Sequence, residues 1–224
     1  MKKIFLVLCC LSLASFIYAG EIFYANGNGK KKQVALTFDD GPGAATQEIL
    51  KILKEKDVKA TFFILGVSAQ TKKDLVKEIY DQGHELANHT YNHFNFYKYK
   101  KNDIHEKMKK EILKCENLVK EITGYKTNIV RFPHGFSRDI AKKIADENAY
   151  TIVTWSFGCD WQTKMSQDEM YKSYKKNIKS GAIFLMHDLG KNKKVIGFLP
   201  QFIDDIKKDG YELVTVSNLL NIKE

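Results

Sequence analysis

The sequence predicts one α/β domain in which about seven parallel strands, most of them followed by a helix, close into a distorted (β/α) barrel. Three observations lead there. Short apolar, β-branched runs alternate with stretches of helical periodicity from residue 33 onwards. The alternation alone fits an open doubly wound sheet equally well. The barrel is favoured because Asp39, Asp40, His89, His93, Arg131, Asp160 and His187 all fall just past a strand end, positions that converge on one mouth in a barrel. Third, no internal repeat or low-complexity linker divides the 224 residues.

In chain order, residues 1–19 read as a secretory signal: Lys2 and Lys3, an apolar stretch, then small residues at Ala19 and Gly20. An uncleaved anchor is the alternative, disfavoured by length. Residues 20–32, with Asn26-Gly27-Asn28-Gly29, are expected as a flexible lead to a catalytic domain over 33–224. Strands are expected at 33–38, 59–65, 84–88, 128–131, 150–155, 181–186 and 211–216. Helices are expected at 46–56, 71–82, 103–123, 137–148, 170–179 and 198–208, with Gly83, Gly124 and Gly210 as stops.

Apolar content is ordinary at 44% and argues for neither a disordered nor a polytopic membrane chain. The net charge is +9, and Lys2 and Lys3 leave with the signal, so the mature chain carries +7. The lysines are scattered over helix faces. Their densest group, Lys98, Lys100, Lys101, Lys107, Lys109 and Lys110, comes with no nucleic-acid-binding signature, so no nucleic-acid partner is expected. Cys9 and Cys10 leave with the signal; Cys115 and Cys159 are permitted, but not forced, to pair in an oxidising compartment. The expected address is outside the cytoplasm (periplasm, cell envelope or medium), with no membrane span after signal removal.

The chemistry begins at Asp39-Asp40. Two adjacent carboxylates repel unless a cation or shared proton intervenes. Taken alone, Asp-Asp-Gly-Pro reads as a turn capping the next helix, and His89-x-x-x-His93 as two ordinary surface histidines. Taken together at matched strand ends, one carboxylate and two imidazoles form a ligand set for a divalent metal with open positions. The remaining carboxylate is then a base towards water, and the class is metal-dependent hydrolase. His84 and His105 are assigned to structure and surface.

Six stretches then come in order: Thr-Phe-Asp-Asp-Gly-Pro (37–42), Lys-Ala-Thr-Phe-Phe-Ile-Leu-Gly (59–66), Gly-His-Glu-Leu-Ala-Asn-His-Thr-Tyr-Asn-His (83–93), Arg-Phe-Pro-His-Gly (131–135), Asp160-Trp161 and Leu185-Met186-His187-Asp188. The chain resembles the polysaccharide deacetylase family, carbohydrate esterase family 4, with its NodB homology domain, over roughly residues 33–220. The resemblance implies a distorted, TIM-barrel-like fold and hydrolysis of N-acetyl groups on a sugar polymer. By position, it implies Asp40, His89 and His93 as metal ligands, zinc being the family's usual ion and cobalt or nickel the alternatives. It implies Asp39 as general base held by Arg131, and His187 as general acid with Asp160 as its carboxylate partner. It also implies an acetyl pocket lined by Trp161 and Leu185, and an oxyanion donor in the backbone N–H of His134 after Pro133.

Two departures bear on substrate preference. His134 stands where the family commonly has Tyr, and residues 156–159 (Ser-Phe-Gly-Cys) lack an Asp often found there. The expected substrate is an acetylated glycan: peptidoglycan, chitin-like chains or a related polymer with N-acetylglucosamine units. An O-acetyl esterase of the xylan type is the alternative within enzymes, and a catalytically silent glycan-binding homologue the alternative outside them.

Overall fold

The computed structural model describes residues 22–190 and 192–223, so the expected signal segment with Cys9 and Cys10 lies outside the described residues. Eight parallel strands follow one another in the described residues: β1 (Phe23–Tyr24), β2 (Gln33–Asp39), β3 (Thr61–Ile64), β4 (Glu85–Asn88), β5 (Ile129–Val130), β6 (Thr151–Val153), β7 (Ile183–His187) and β8 (Glu212–Leu213). Their order is β1-β6-β5-β4-β3-β2-β7, with β8 against the start of β2. The chain just after β6 then reaches β7, where the Ser156 N–H donates to the Ile183 carbonyl (3.0 Å) and the Leu185 N–H to the Phe157 carbonyl (2.8 Å). This irregular seam closes the sheet, which is why the barrel is distorted.

Among the described residues eight α-helices clothe the sheet: α1 (Thr46–Glu55), α2 (Gly66–Thr71), α3 (Lys73–Asp81), α4 (Ile104–Thr123), α5 (Asp139–Glu147), α6 (Gln167–Lys176), α7 (Lys193–Lys208) and α8 (Val216–Leu220). Period-2 alternation along β2 sorts its side chains. Leu36 and Phe38 join the large outer cluster with the helices, Phe38 stacking on Phe62 at 5.1 Å between ring centroids. Ala35 faces inwards with Phe63, Ala87, Val153 and Ile183. Asp39 shares that inward parity and so reaches the interior at the strand's C-terminal end.

The differences from expectation are local. Within the expected lead, Phe23–Tyr24 pairs with β6. Helix α2 starts directly at Gly66, before the expected helix, and a Cβ at Gly66 would run into Tyr91. Helix α6 starts three residues early, where Ser166 and Glu169 form a capping box. Helix α7 starts five residues early, carrying Pro200 inside it. The last strand is short because Thr215 caps α8, its hydroxyl accepting the Asn218 N–H. Cys115 and Cys159 are buried, free and unpaired, the Cys115 thiol donating to the Ile64 carbonyl. His84 is buried, accepting the Ala60 N–H, and His105 lies at the surface against Glu147. No helix of the described residues is long and apolar enough to cross a membrane.

Candidate metal and catalytic site

The C-terminal ends of β2, β4, β5 and β7 and the loop after β6 bring most of the expected residues to one cleft; Asp160 sits in that loop, not just past a strand end as expected. It has a volume of about 370 Å³ and is lined by Asp39, Asp40, His89, His93, Phe132, His134, Trp155, Trp161, Leu185 and His187. Two larger depressions, of about 620 and 590 Å³, lie along α3 and beneath the barrel, and contain none of the expected site residues.

Asp40 turns out of β2 with φ 71°, a left-handed conformation that aims its carboxylate away from the strand direction of Asp39. His89 Nε2 and His93 Nε2 approach the same Asp40 Oδ1, at 3.3 and 3.2 Å. That oxygen is buried and has no hydrogen-bond partner among the described residues. The ligand atoms of Asp40, His89 and His93 all lie within 4.8 Å of one another. Zinc bonds of about 2.0–2.2 Å in a tetrahedron separate neighbouring ligand atoms by roughly 3.3–3.5 Å, so the observed spacing suits co-ligands of one small cation.

The protonation states agree. Burial opposes ionisation of Asp40, but His89 and His93 draw its pKa down to about 2. Burial lowers the pKa of His93, leaving the neutral imidazole that binds metals. His89 Nδ1 lies 2.7 Å from the Arg131 carbonyl. That carbonyl can only accept, so Nδ1 carries a proton and Nε2 is the nitrogen turned towards Asp40. The three residues therefore fit a divalent cation.

Asp39 is 2% exposed and held from one side. Arg131, wholly buried, donates through Nη1 to Asp39 Oδ1 (2.6 Å) and to the Thr37 hydroxyl (2.8 Å). The same guanidinium donates to the Val153 and Thr154 carbonyls and lies over the Phe63 ring at 3.8 Å. Such a planar fork, fixed at every edge, leaves Asp39 one orientation.

On the opposite wall stands His187. Its Nδ1 lies 2.8 Å from Asp160 Oδ1, and its backbone N–H donates to Asp160 Oδ2. Asn192 also donates to Asp160 Oδ2 and to the His187 carbonyl, an anchor that no sequence motif signalled. Burial works against the imidazolium, but Asp160 beside it raises the His187 pKa to about 9. Trp161, half exposed, sets its ring edge-on to His187 at 5.9 Å and to Trp155 at 6.4 Å. Leu185 is buried at the base of the cleft.

His134 is exposed on the rim with φ 58°, its ring 4.8 Å from that of His93. Pro133 is buried behind it and does not line the cleft. Phe132 and Trp155 line the cleft without having been singled out in the sequence. Phe132 sat inside a recognised motif and Trp155 at an expected strand end, the one available signal for either.

Comparison with known proteins matches residues 26–153 to the family model described as Polysaccharide deacetylase. A peptidoglycan-N-acetylglucosamine deacetylase of Bacillus cereus is 36% identical over 202 residues, covering 86% of this chain and 90% of that protein. Among solved structures, the Bc1960 peptidoglycan N-acetylglucosamine deacetylase superposes with a TM-score of 0.84 at 32% identity, over 91% of this chain and 94% of that one. BA3943 of Bacillus anthracis, a pseudoenzyme of carbohydrate esterase family 4, superposes with a TM-score of 0.81 at 28% identity, over 89% and 69% of the two chains.

Proposed function

The chain belongs to the polysaccharide deacetylase family, carbohydrate esterase family 4, and from that premise we propose that it is a metal-dependent hydrolase removing N-acetyl groups from N-acetylglucosamine units of a glycan, peptidoglycan first. One observation carries the reading: a buried carboxylate oxygen without a hydrogen-bond partner stands 3.2–3.3 Å from two imidazole nitrogens, at the foot of an apolar-walled cleft.

Asp40, His89 and His93 hold the cation, zinc before cobalt or nickel. When bound, it polarises the acetamide carbonyl and acidifies water at the site. Asp39, oriented by Arg131, takes the proton from the attacking water through Oδ2, the oxygen that Arg131 leaves free. The backbone N–H of His134 donates to the oxygen that gains charge as water adds to the carbonyl carbon. The C–N bond then breaks. Amines leave poorly as anions, so His187 transfers its Nε2 proton to the departing nitrogen, with Asp160 stabilising the imidazolium until that moment. Leu185, Trp155 and Trp161 enclose the acetyl methyl and keep bulk water from the carbonyl. The products are acetate and a free amino sugar.

The substrate is a wall or matrix polymer, which agrees with the export signal expected in residues 1–19, and the catalytic domain then takes in β1 as well as the expected residues 33–224. The decisive experiment is acetate release by the zinc-loaded protein from peptidoglycan, N-acetylglucosamine oligomers and acetylated xylan. Acetate from the first two is the expected result. Acetate from xylan alone assigns an O-acetyl esterase, and none from any assigns a silent homologue like BA3943.

A further inference from the structure

Both histidine ligands sit on the segment after β4, which has no regular structure until α4 begins. Two of its residues take left-handed backbone conformations without being glycine, Thr90 at φ 67° and His93 at φ 53°. Such conformations persist only where surroundings hold them. The grip at the start of this segment is Asn88, whose side chain accepts the Thr90 N–H (2.8 Å) and donates to the Ile112 carbonyl (3.0 Å) of α4.

The grip at its far end is a carboxylate. Glu111 of α4 is 3% exposed and lines no part of the cleft. Its Oε2 accepts the Asn92 backbone N–H at 2.7 Å, and its Oε1 accepts the Asn92 side-chain amide at 2.9 Å. Lys107, one turn earlier, closes the group at 3.0 Å. Burial would raise the Glu111 pKa, but Asn92 and Lys107 bring it below its ordinary value. Burying a charge is poor design for stability alone. Here the charge clamps, by backbone and side chain together, the residue immediately before His93.

We infer that Glu111 is a positioning residue of the metal centre: its paired hydrogen bonds to Asn92 fix the turn between His89 and His93 and thereby set the cation affinity of the site. The inference rests on the metal reading above. Groups hydrogen-bonded directly to a metal ligand typically change metal affinity by about 10–100-fold, and this range sets the scale for Glu111, which reaches His93 through Asn92.

The test uses the full mature chain with its metal removed, comparing wild type, Glu111→Gln and Asn92→Ala. Far-UV circular dichroism and urea unfolding report the apo fold, a chromophoric chelator in competition reports Zn²⁺ and Co²⁺ affinity, and the visible Co²⁺ bands report ligand geometry. The expected result is a folded Glu111→Gln protein with cation affinity lowered about 10–100-fold and shifted Co²⁺ bands. Asn92→Ala, which keeps the backbone half of the clamp, loses less. Either variant folded, with wild-type affinity and unshifted bands, overturns the inference; should Glu111→Gln fail to fold, Asn92→Ala decides by the same criterion. A wild type that takes up no cation overturns the metal reading itself and this inference with it.

Discussion

Strand β4 is four residues long and has a buried polar group at each end, and the two ends are finished differently. At the floor of the barrel, Glu85 accepts the Thr61 hydroxyl (2.6 Å), the Val216 N–H (3.0 Å) and the Ser217 N–H (3.2 Å). That carboxylate is occupied by the protein itself and ties α8 to the sheet. At the mouth, His89 follows β4 directly and meets Asp40 Oδ1, an equally buried oxygen that no donor of the described residues reaches. A carboxylate completed from within is part of the scaffold, and one left open is addressed to something outside it.

That division can be broken from either end. The largest effect is expected for His93→Ala, which removes a ligand: bound zinc by elemental analysis and acetate release both fall to background. Asp39→Asn should retain zinc yet lose turnover by about 10²–10⁴-fold, because Asn cannot accept the proton. If Asp39→Asn loses its zinc instead, the roles of Asp39 and Asp40 have been confused. At the floor, Glu85→Ala strands the Ser217 N–H and the Thr61 hydroxyl proton, the Val216 N–H keeping the Thr61 oxygen, which should cost about 1–3 kcal/mol in urea unfolding. Its turnover per folded molecule should match wild type; a drop in kcat with the fold intact would show that floor and mouth are not separable.

The smallest expected effect concerns pH. His187 has a folded pKa raised to about 9 from an ordinary 6.5. The imidazolium is therefore favoured in the fold, and the stability it contributes is full below about 6.5 and lost as pH rises through about 9. Asp160→Asn should bring the metal-free His187 titration, followed by NMR, down to 6.5 or below and flatten stability across that window. A titration unmoved by Asp160→Asn would reassign the source of the shift.

The mouth was more legible in the sequence than the floor or the supports. Asp39, Asp40, His89, His93 and His187 stand at strand ends in short motifs, and strand ends are what a hydrophobic pattern locates best. Glu111, Asn192 and Glu85 each act through at least one distant partner, Asn92, Asp160 and Ser217, from 19 to 132 positions away in the chain, and a single sequence carries no record of such pairings. The elements followed the same rule. The long amphipathic α4 lies within one residue of its expected span, whereas β1 has no sequence signal because two residues leading into an Asn/Gly-rich stretch carry no period. The early start of α6 was readable from Ser166-x-x-Glu169.

The central claim is that Asp40, His89 and His93 surround one cation with Asp39 free beside it, and an anomalous-scattering map of zinc-soaked crystals tests it most directly. The account predicts one strong peak within about 2.0–2.2 Å of an Asp40 oxygen and of both Nε2 atoms, with Asp39 still on Arg131. No peak there at saturating zinc, or a peak bound by Asp39 in place of Asp40, would contradict it.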